Sequence, residues 1–172
     1  DDKNDNRKTE KINKEHNFAI SPRVGLVYIP IKDMSVYSSF SQSYVPQSGE
    51  TKEGDSFKPV RSKQWELGVK KSFFNDRLIS TVAVYNLEKV NLPTTDPEDE
   101  DYKIQIGKQY SRAVEIGFTG DITRNWSVAM NYAYTYGKVS KTNDKKYPVG
   151  TKLANLAPHR FNIWTSYQIK DG

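Results

Sequence analysis

In residues 126–137 the side chains alternate without a break. Trp126, Val128, Met130, Tyr132, Tyr134 and Tyr136 share one phase, and Ser127, Ala129, Asn131, Ala133, Thr135 and Gly137 share the other. A period of two belongs to an extended strand with two unlike faces. The pattern recurs in residues 61–91, where Trp65, Leu67 and Val69 alternate with Gln64, Glu66, Gly68 and Lys70. Asn75-Asp76 then supplies turn chemistry, and residues 78–87 form a second strand rich in β-branched and aromatic side chains. In that strand Leu78, Val82 and Val84 compete with Ile79, Ala83 and Tyr85 for the apolar face. The first set is expected there, because Tyr85 beside Asn86 suits a wet wall better.

Carried along the chain, this reading predicts seven strands, in residues 18–29, 34–45, 61–74, 78–91, 104–122, 126–138 and 159–170. The connections alternate: short at 30–33, long at 46–60, short at 75–77, long at 92–103, short at 123–125, long at 139–158. Tight turns at one end and long polar loops at the other are the rhythm of an outer-membrane β-barrel. Strand length agrees. Ten residues at about 3.4 Å each, tilted about 45°, rise roughly 24 Å, close to the apolar band of such barrels.

Composition narrows the choice. Mean hydropathy is −0.79, and no run of about 18 apolar residues could form a membrane helix. A barrel escapes that requirement, since only every second residue meets lipid. Disorder is the other reading of low hydropathy, but 11 Tyr, 7 Phe and 3 Trp argue against it outside the loops. Residues 1–17, almost all charged or amide, read as an external loop. There is no Cys, which excludes disulfides and thiolate metal sites. The net charge of +5 is scattered through turns and loops, so no nucleic-acid partner is expected. No signal peptide is visible at Asp1, so the chain reads as mature or as a piece of something longer. A small stand-alone barrel and a soluble β-sandwich that binds a ligand are the competing architectures. The sandwich requires the aromatic faces to be buried against a second sheet.

Four groups of segments carry a family resemblance. They are SPRVGLVYIP at 21–30 and YSSFSQSYVPQSG at 37–49; FKPVRSKQWELGVK at 57–70 with LISTVAVYNLEKVN and the TTDP of 94–97; QYSRAVEIGFTGDIT at 109–123; and NYAYTYGKV at 131–139 with VGTKLANLAPHRFNIWTSYQ at 149–168. Over residues 18–172 the chain resembles the C-terminal part of the barrel of TonB-dependent ferric-siderophore receptors, most nearly the ferric-hydroxamate (ferrichrome) type. The resemblance implies an all-β fold: an antiparallel transmembrane segment of a barrel of about 22 strands with a plug domain inside it. It implies a non-enzymatic receptor in the outer membrane that imports a ferric siderophore with energy passed through TonB. Iron would enter only as the chelated ligand, with no resident cofactor. Plug, energy-coupling motif and closing strands are not seen, so the chain reads as a fragment whose first and last strands keep bare edges.

No nucleophile motif appears, and Glu66 and Glu115 fall on wet faces, where they are expected to meet cations across strands or on the plug. The acidic run at 96–101 lacks the Gly and the twelfth-position Glu of a calcium loop. It reads as a solvated loop, or as a loose bridge through divalent ions to lipopolysaccharide. His16 and His159, the two histidines, carry no metal or catalytic expectation. Tyr28, Tyr44, Trp65, Trp126, Tyr136 and Tyr167 lie near strand ends and suit interfacial girdles. The resemblance implies aromatic and cationic side chains around the chelate. Tyr102 and Tyr110, with Gln47 and Lys138, are the candidates, because they sit where the chain leaves or enters an external loop.

Overall fold

The computed structural model describes residues 20–52, 54–96 and 98–169. They form one sheet of seven antiparallel strands in sequence order. The strands are β1 (Arg23–Ile31), β2 (Met34–Val45), β3 (Val60–Phe73), β4 (Leu78–Thr95), β5 (Lys103–Thr123), β6 (Trp126–Lys141) and β7 (His159–Tyr167). Every connection joins neighbours, so β1 and β7 leave the sheet open. The 1–17 segment read as an external loop, and with it His16, lies outside the described residues. No helix among those described is long and apolar enough to cross a membrane, which says nothing of a crossing by strands.

The turns follow from local chemistry. Asp33 (φ 62°) closes the β1–β2 turn, and Phe74, Asn75 and Asp76 all adopt positive φ between β3 and β4. Asn and Asp tolerate that region better than other non-glycine residues. Several boundaries differ from expectation: β1 begins at Arg23, β6 runs on to Lys141 and β7 ends at Tyr167. The first strand runs through Pro30 to Ile31, which a sheet edge permits, since the proline's missing N–H need not face a partner. The expected long loop at 92–103 shrinks to residues 96–102. Strands β4 and β5 pair past Pro93 by taking register shifts at Lys89/Leu92 and Leu92/Thr94, with Asn91 at φ 60°. A bulge absorbs the residue that cannot join the ladder.

Register decides the faces. One row reads Tyr28–Val36–Val69–Val82–Ile116–Tyr132–Phe161 across all seven strands, and the next reads Leu26–Ser38–Leu67–Val84–Val114–Tyr134–His159. Directly opposed residues share a face, so these rows form a continuous apolar band. In β4 it is Leu78, Val82 and Val84 that join it, as expected. The other face carries Ser39, Glu66, Gly68, Ala83, Glu115, Gly117, Ala129, Ala133 and Thr135. Among the described residues nothing packs on the apolar band: Leu26 is 75% exposed, and Trp65 and Phe161 are each 59% exposed. Among the described residues only Phe57, Val60, Ala83 and Ala113 are buried hydrophobics. A soluble sandwich would bury such a band against a second sheet. The described residues form no second layer over this sheet, and its stability must come from the surroundings of the band.

Strands β4 and β5 are longer than a bilayer needs. The 21 residues of β5, at about 3.4 Å each and about 45° of tilt, rise roughly 50 Å. About half of that stands clear of an apolar layer and carries the long loops with it.

Candidate functional site

The three long connections gather at one end of the sheet, and each has its own internal structure. In residues 46–59 a small hairpin forms through the Glu50–Ser56 bridge, with Gly54 N–H donating to the Thr51 carbonyl at 3.0 Å. Phe57 tucks its ring beneath it, 6% exposed. In residues 96–102 the carboxylates cap their own turn. Asp96 accepts from Glu98 N–H at 2.9 Å, and Asp99 from Asp101 N–H at 3.3 Å. Residues 142–158 turn on Asp144, whose Oδ1 accepts from Lys146 N–H at 2.8 Å.

The return limb of this last loop does not hang free. Val139 N–H donates to Thr151 O, Gly150 N–H to Val139 O and Leu153 N–H to Gly137 O, while Thr135 N–H reaches Pro158 O. These bonds occupy the edge of β6 above Tyr134, where β7 has already ended. Leu153 and Leu156 are thereby laid against the bare backbone of Gly137. With Tyr85, Leu87 and Ser111 they line a small apolar recess on the small-residue face.

Charge ties the loops to one another. Lys52 Nζ of the first loop meets Asp99 Oδ2 of the second at 3.0 Å and stands 5.7 Å from the centre of the Tyr102 ring. Lys145 of the third loop reaches Glu100 Oε1 at 3.5 Å. The bond from Lys52 holds the Asp99 carboxyl below its ordinary range, and Asp99 raises the Lys52 ammonium in return. Both pairs are solvent-exposed, so each is a weak tether. The acidic run is thus partly answered by lysines of its neighbours, and the described residues hold no cluster suited to a metal ion.

A brace that the sequence did not reveal sits below the loops. Gln105 of β5 reaches across β4. Its Oε1 accepts from Lys58 N–H, and its Nε2 donates to Lys58 O and, at 3.2 Å, to Asn91 O. The Asn91 side chain adds a bond to Pro59 O at 3.3 Å. Together they pin the point where the first loop enters β3. A lone Gln in an alternating strand carries no signal of this. The contact depends on the bulge at Asn91, which register alone creates.

The four expected ligand residues separate. Tyr102 lies in the 96–102 loop, 41% exposed beneath Lys52. Gln47 lies at the start of the 46–59 loop, its amide donating to Pro46 O at 3.0 Å. Tyr110 and Lys138 are direct cross-strand partners. Their register puts them in phase with Val114 and Tyr134, on the apolar face rather than the small-residue face. Glu66 and Glu115 are on the small-residue face as expected. Tyr37 Oη donates to Glu66 Oε1 at 2.9 Å, and Gln64 Nε2 donates to the other carboxylate oxygen, Oε2, at 3.2 Å. His159 is held on the apolar face by Tyr132 Oη at 2.9 Å and packs at 5.0 Å from the ring centre of Tyr134. The six girdle aromatics all fall in phase with that face, and Trp126 Nε1 donates to Thr165 Oγ1 at 2.7 Å.

An open sheet with a naked apolar face, small residues behind it and long loops at one end is a piece of barrel wall. The family model described as "TonB dependent receptor-like, beta-barrel" matches residues 1–172. The chain belongs to this family of outer-membrane receptors. It is 28% identical over 169 residues to the metal-pseudopaline receptor of Pseudomonas aeruginosa, covering 98% of this chain and 24% of that receptor. It is 33% identical over 150 residues to the ferrichrome outer membrane transporter/phage receptor of Escherichia coli K12, covering 87% of this chain and 20% of that protein. Among solved structures, the ferric-catecholate import receptor of E. coli K12 superposes with a TM-score of 0.73 at 25% identity, over 87% of this chain and 22% of the receptor. The chain therefore spans about a fifth to a quarter of the length of these relatives. In an outer-membrane barrel the apolar band faces lipid, the small-residue face is the inner wall, and the long loops are external.

Proposed function

We propose that this chain supplies barrel wall and three external loops to a receptor that takes up ferric siderophores with energy delivered through TonB. The observation that carries this reading is a family match over the whole chain, with relatives named as receptors for ferric and other metal chelates. The wall's chemistry fits. Small and polar side chains leave room for a plug, with Glu66 held by Tyr37 and Gln64 as a fixed acceptor for a plug cation. Iron is cargo, bound inside its chelator, and the resident chemistry is recognition rather than reaction.

Tyr102 and Gln47, on the external loops, are the residues proposed to meet the chelate. Tyr102 offers an aromatic face beside the Lys52 ammonium, a pairing suited to a bulky, oxygen-rich anionic surface. Tyr110 and Lys138, expected in the same role, are cross-strand partners at the loop end of β5 and β6, in phase with Val114 and Tyr134. The test is uptake of 55Fe-labelled hydroxamate chelates by cells producing the receptor that carries this chain, with and without a functional TonB. Energy-dependent accumulation is expected. Absence of accumulation for hydroxamate, catecholate and mixed chelates alike overturns the reading.

A further inference from the structure

The recess under the third loop opens on the inner wall, and its leucines are placed with care. Asn155, at φ 58°, bends the return limb between Leu153 and Leu156. Both then settle on the bare Gly137, where a Cβ would stand 2.8 Å from Leu153 Cδ1 and 2.9 Å from Leu156 Cδ2. Leu87 of β4 faces them. All three leucines stay only partly buried, and about 220 Å³ remains open between them. That is room for roughly seven groups the size of a water.

The polarity of the recess is one-sided. Its floor is aliphatic, with the Tyr85 ring at the lower end, and its upper end carries Lys89 with Gln109 directly opposite. Among the described residues Lys89 forms no ion pair. No carboxylate lines the recess, and Glu66, opposite Tyr85, is already engaged by Tyr37 and Gln64. At about 3.4 Å per residue and about 45° of tilt, the climb from Trp126 to Gly137 is roughly 26 Å. The recess therefore lies level with the top of the apolar band, on the lumen side, where it meets what enters from outside. Apolar surface left wet there gains from being covered, and a lysine without a partner favours an anion.

Resting on the receptor reading above, we propose that this recess is a specificity pocket for an alkyl arm of the ferric chelate that ends in a carboxylate. The methylenes lie on Leu87, Leu153 and Leu156. The carboxylate meets Lys89 Nζ and the Gln109 amide, and the iron-binding head stays in the vestibule. Ser111, 8% exposed at the back of the recess, sets its depth. Gly137 is a positioning residue: it seats the two leucines that touch the arm.

The experiment uses the receptor that carries this chain, purified in detergent, with chelate affinity read by iron quenching of tryptophan fluorescence. The probes are synthetic ferric chelates that differ in one pendant arm: an alkyl chain ending in carboxylate, the same chain ending in carboxamide, and an oxyethylene chain of equal length ending in carboxylate. The set is made on a trihydroxamate core and on a tricatecholate core. The alkyl carboxylate is expected to bind the parent about tenfold tighter than the oxyethylene arm, and about tenfold tighter than the carboxamide. Lys89→Gln should erase the preference over the carboxamide and keep the other. Ser111→Leu, which fills the recess, should erase both. Gly137→Ala should reduce the preference over the oxyethylene arm. Preferences that survive both Lys89→Gln and Ser111→Leu overturn the proposal. Equal affinity for all three arms, on a core that binds, overturns it and leaves the receptor reading standing, with the recess filled by the receptor itself. Binding of no chelate on either core overturns both. Heat-modifiable migration reports the folding of each variant, and the comparison of arms on the parent decides without any substitution.

Discussion

Gly68 is opposite Tyr37 on the inner wall, and the tyrosine ring lies across its bare backbone. A Cβ placed on Gly68 would stand 2.5 Å from both Cε1 and Oη of Tyr37, far inside van der Waals contact. The ring is rigid, and its hydroxyl is committed to Glu66 at 2.9 Å, so it cannot swing aside without giving up that bond. Gly68→Ala should therefore cost an overpacking term of about 1–3 kcal/mol. Loss of a half-exposed hydrogen bond to a carboxylate adds about 1 kcal/mol, giving about 2–4 kcal/mol in all. The measurement is the urea midpoint of the refolded receptor in detergent, followed by heat-modifiable electrophoretic migration. The decisive arm is the double-mutant cycle with Tyr37→Ala. Once the ring is gone the added methyl meets open space, and Gly68→Ala should then cost less than about 0.5 kcal/mol. An equal cost in both backgrounds would refute the argument, because it would locate the penalty in the backbone rather than in the ring.

Val84→Arg on the lipid face should reduce membrane assembly by about 2–4 kcal/mol in vesicle folding titrations, whereas Thr81→Arg on the inner wall should cost less than half of that. Gln105→Ala removes the brace on Lys58 and should destabilise the loop-to-β3 junction by about 1 kcal/mol; faster amide exchange at Lys58 is the readout. The Lys52–Asp99 tether should follow pH. Asp99 is held below the ordinary carboxylate range, so the tether is fully present above that range and lost as pH falls through the depressed value. Protease cleavage in residues 46–59 should therefore rise on acidification, and Asp99→Asn should show the raised cleavage already at neutral pH.

Much of this was legible because a strand's period is two and a barrel's two faces differ in chemistry. Alternation alone located all seven strands, and the order of short and long connections oriented them. The boundaries that slipped did so where pairing outlasts alternation. Pro93 reads as a breaker by itself, yet the ladder continues past it through a bulge supplied by Asn91. The site was less legible. Tyr110 and Lys138 are each near a loop, and proximity to a loop says nothing about face. Their face follows from being opposite one another and in phase with Val114 and Tyr134, a fact of register.

The sequence by itself determined the strands, the apolar band and the family, because those depend on local periodicity and on motifs in order. Only the tertiary structure decided which side chains meet. It settled the contest in β4 for Val82 and Val84, because a strand's neighbours leave it no other phase. It placed Gln105 over Lys58 and joined the three loops through Lys52 and Lys145. Each of these joins residues on different strands, and a contact of that kind exists only once the register between the strands is set.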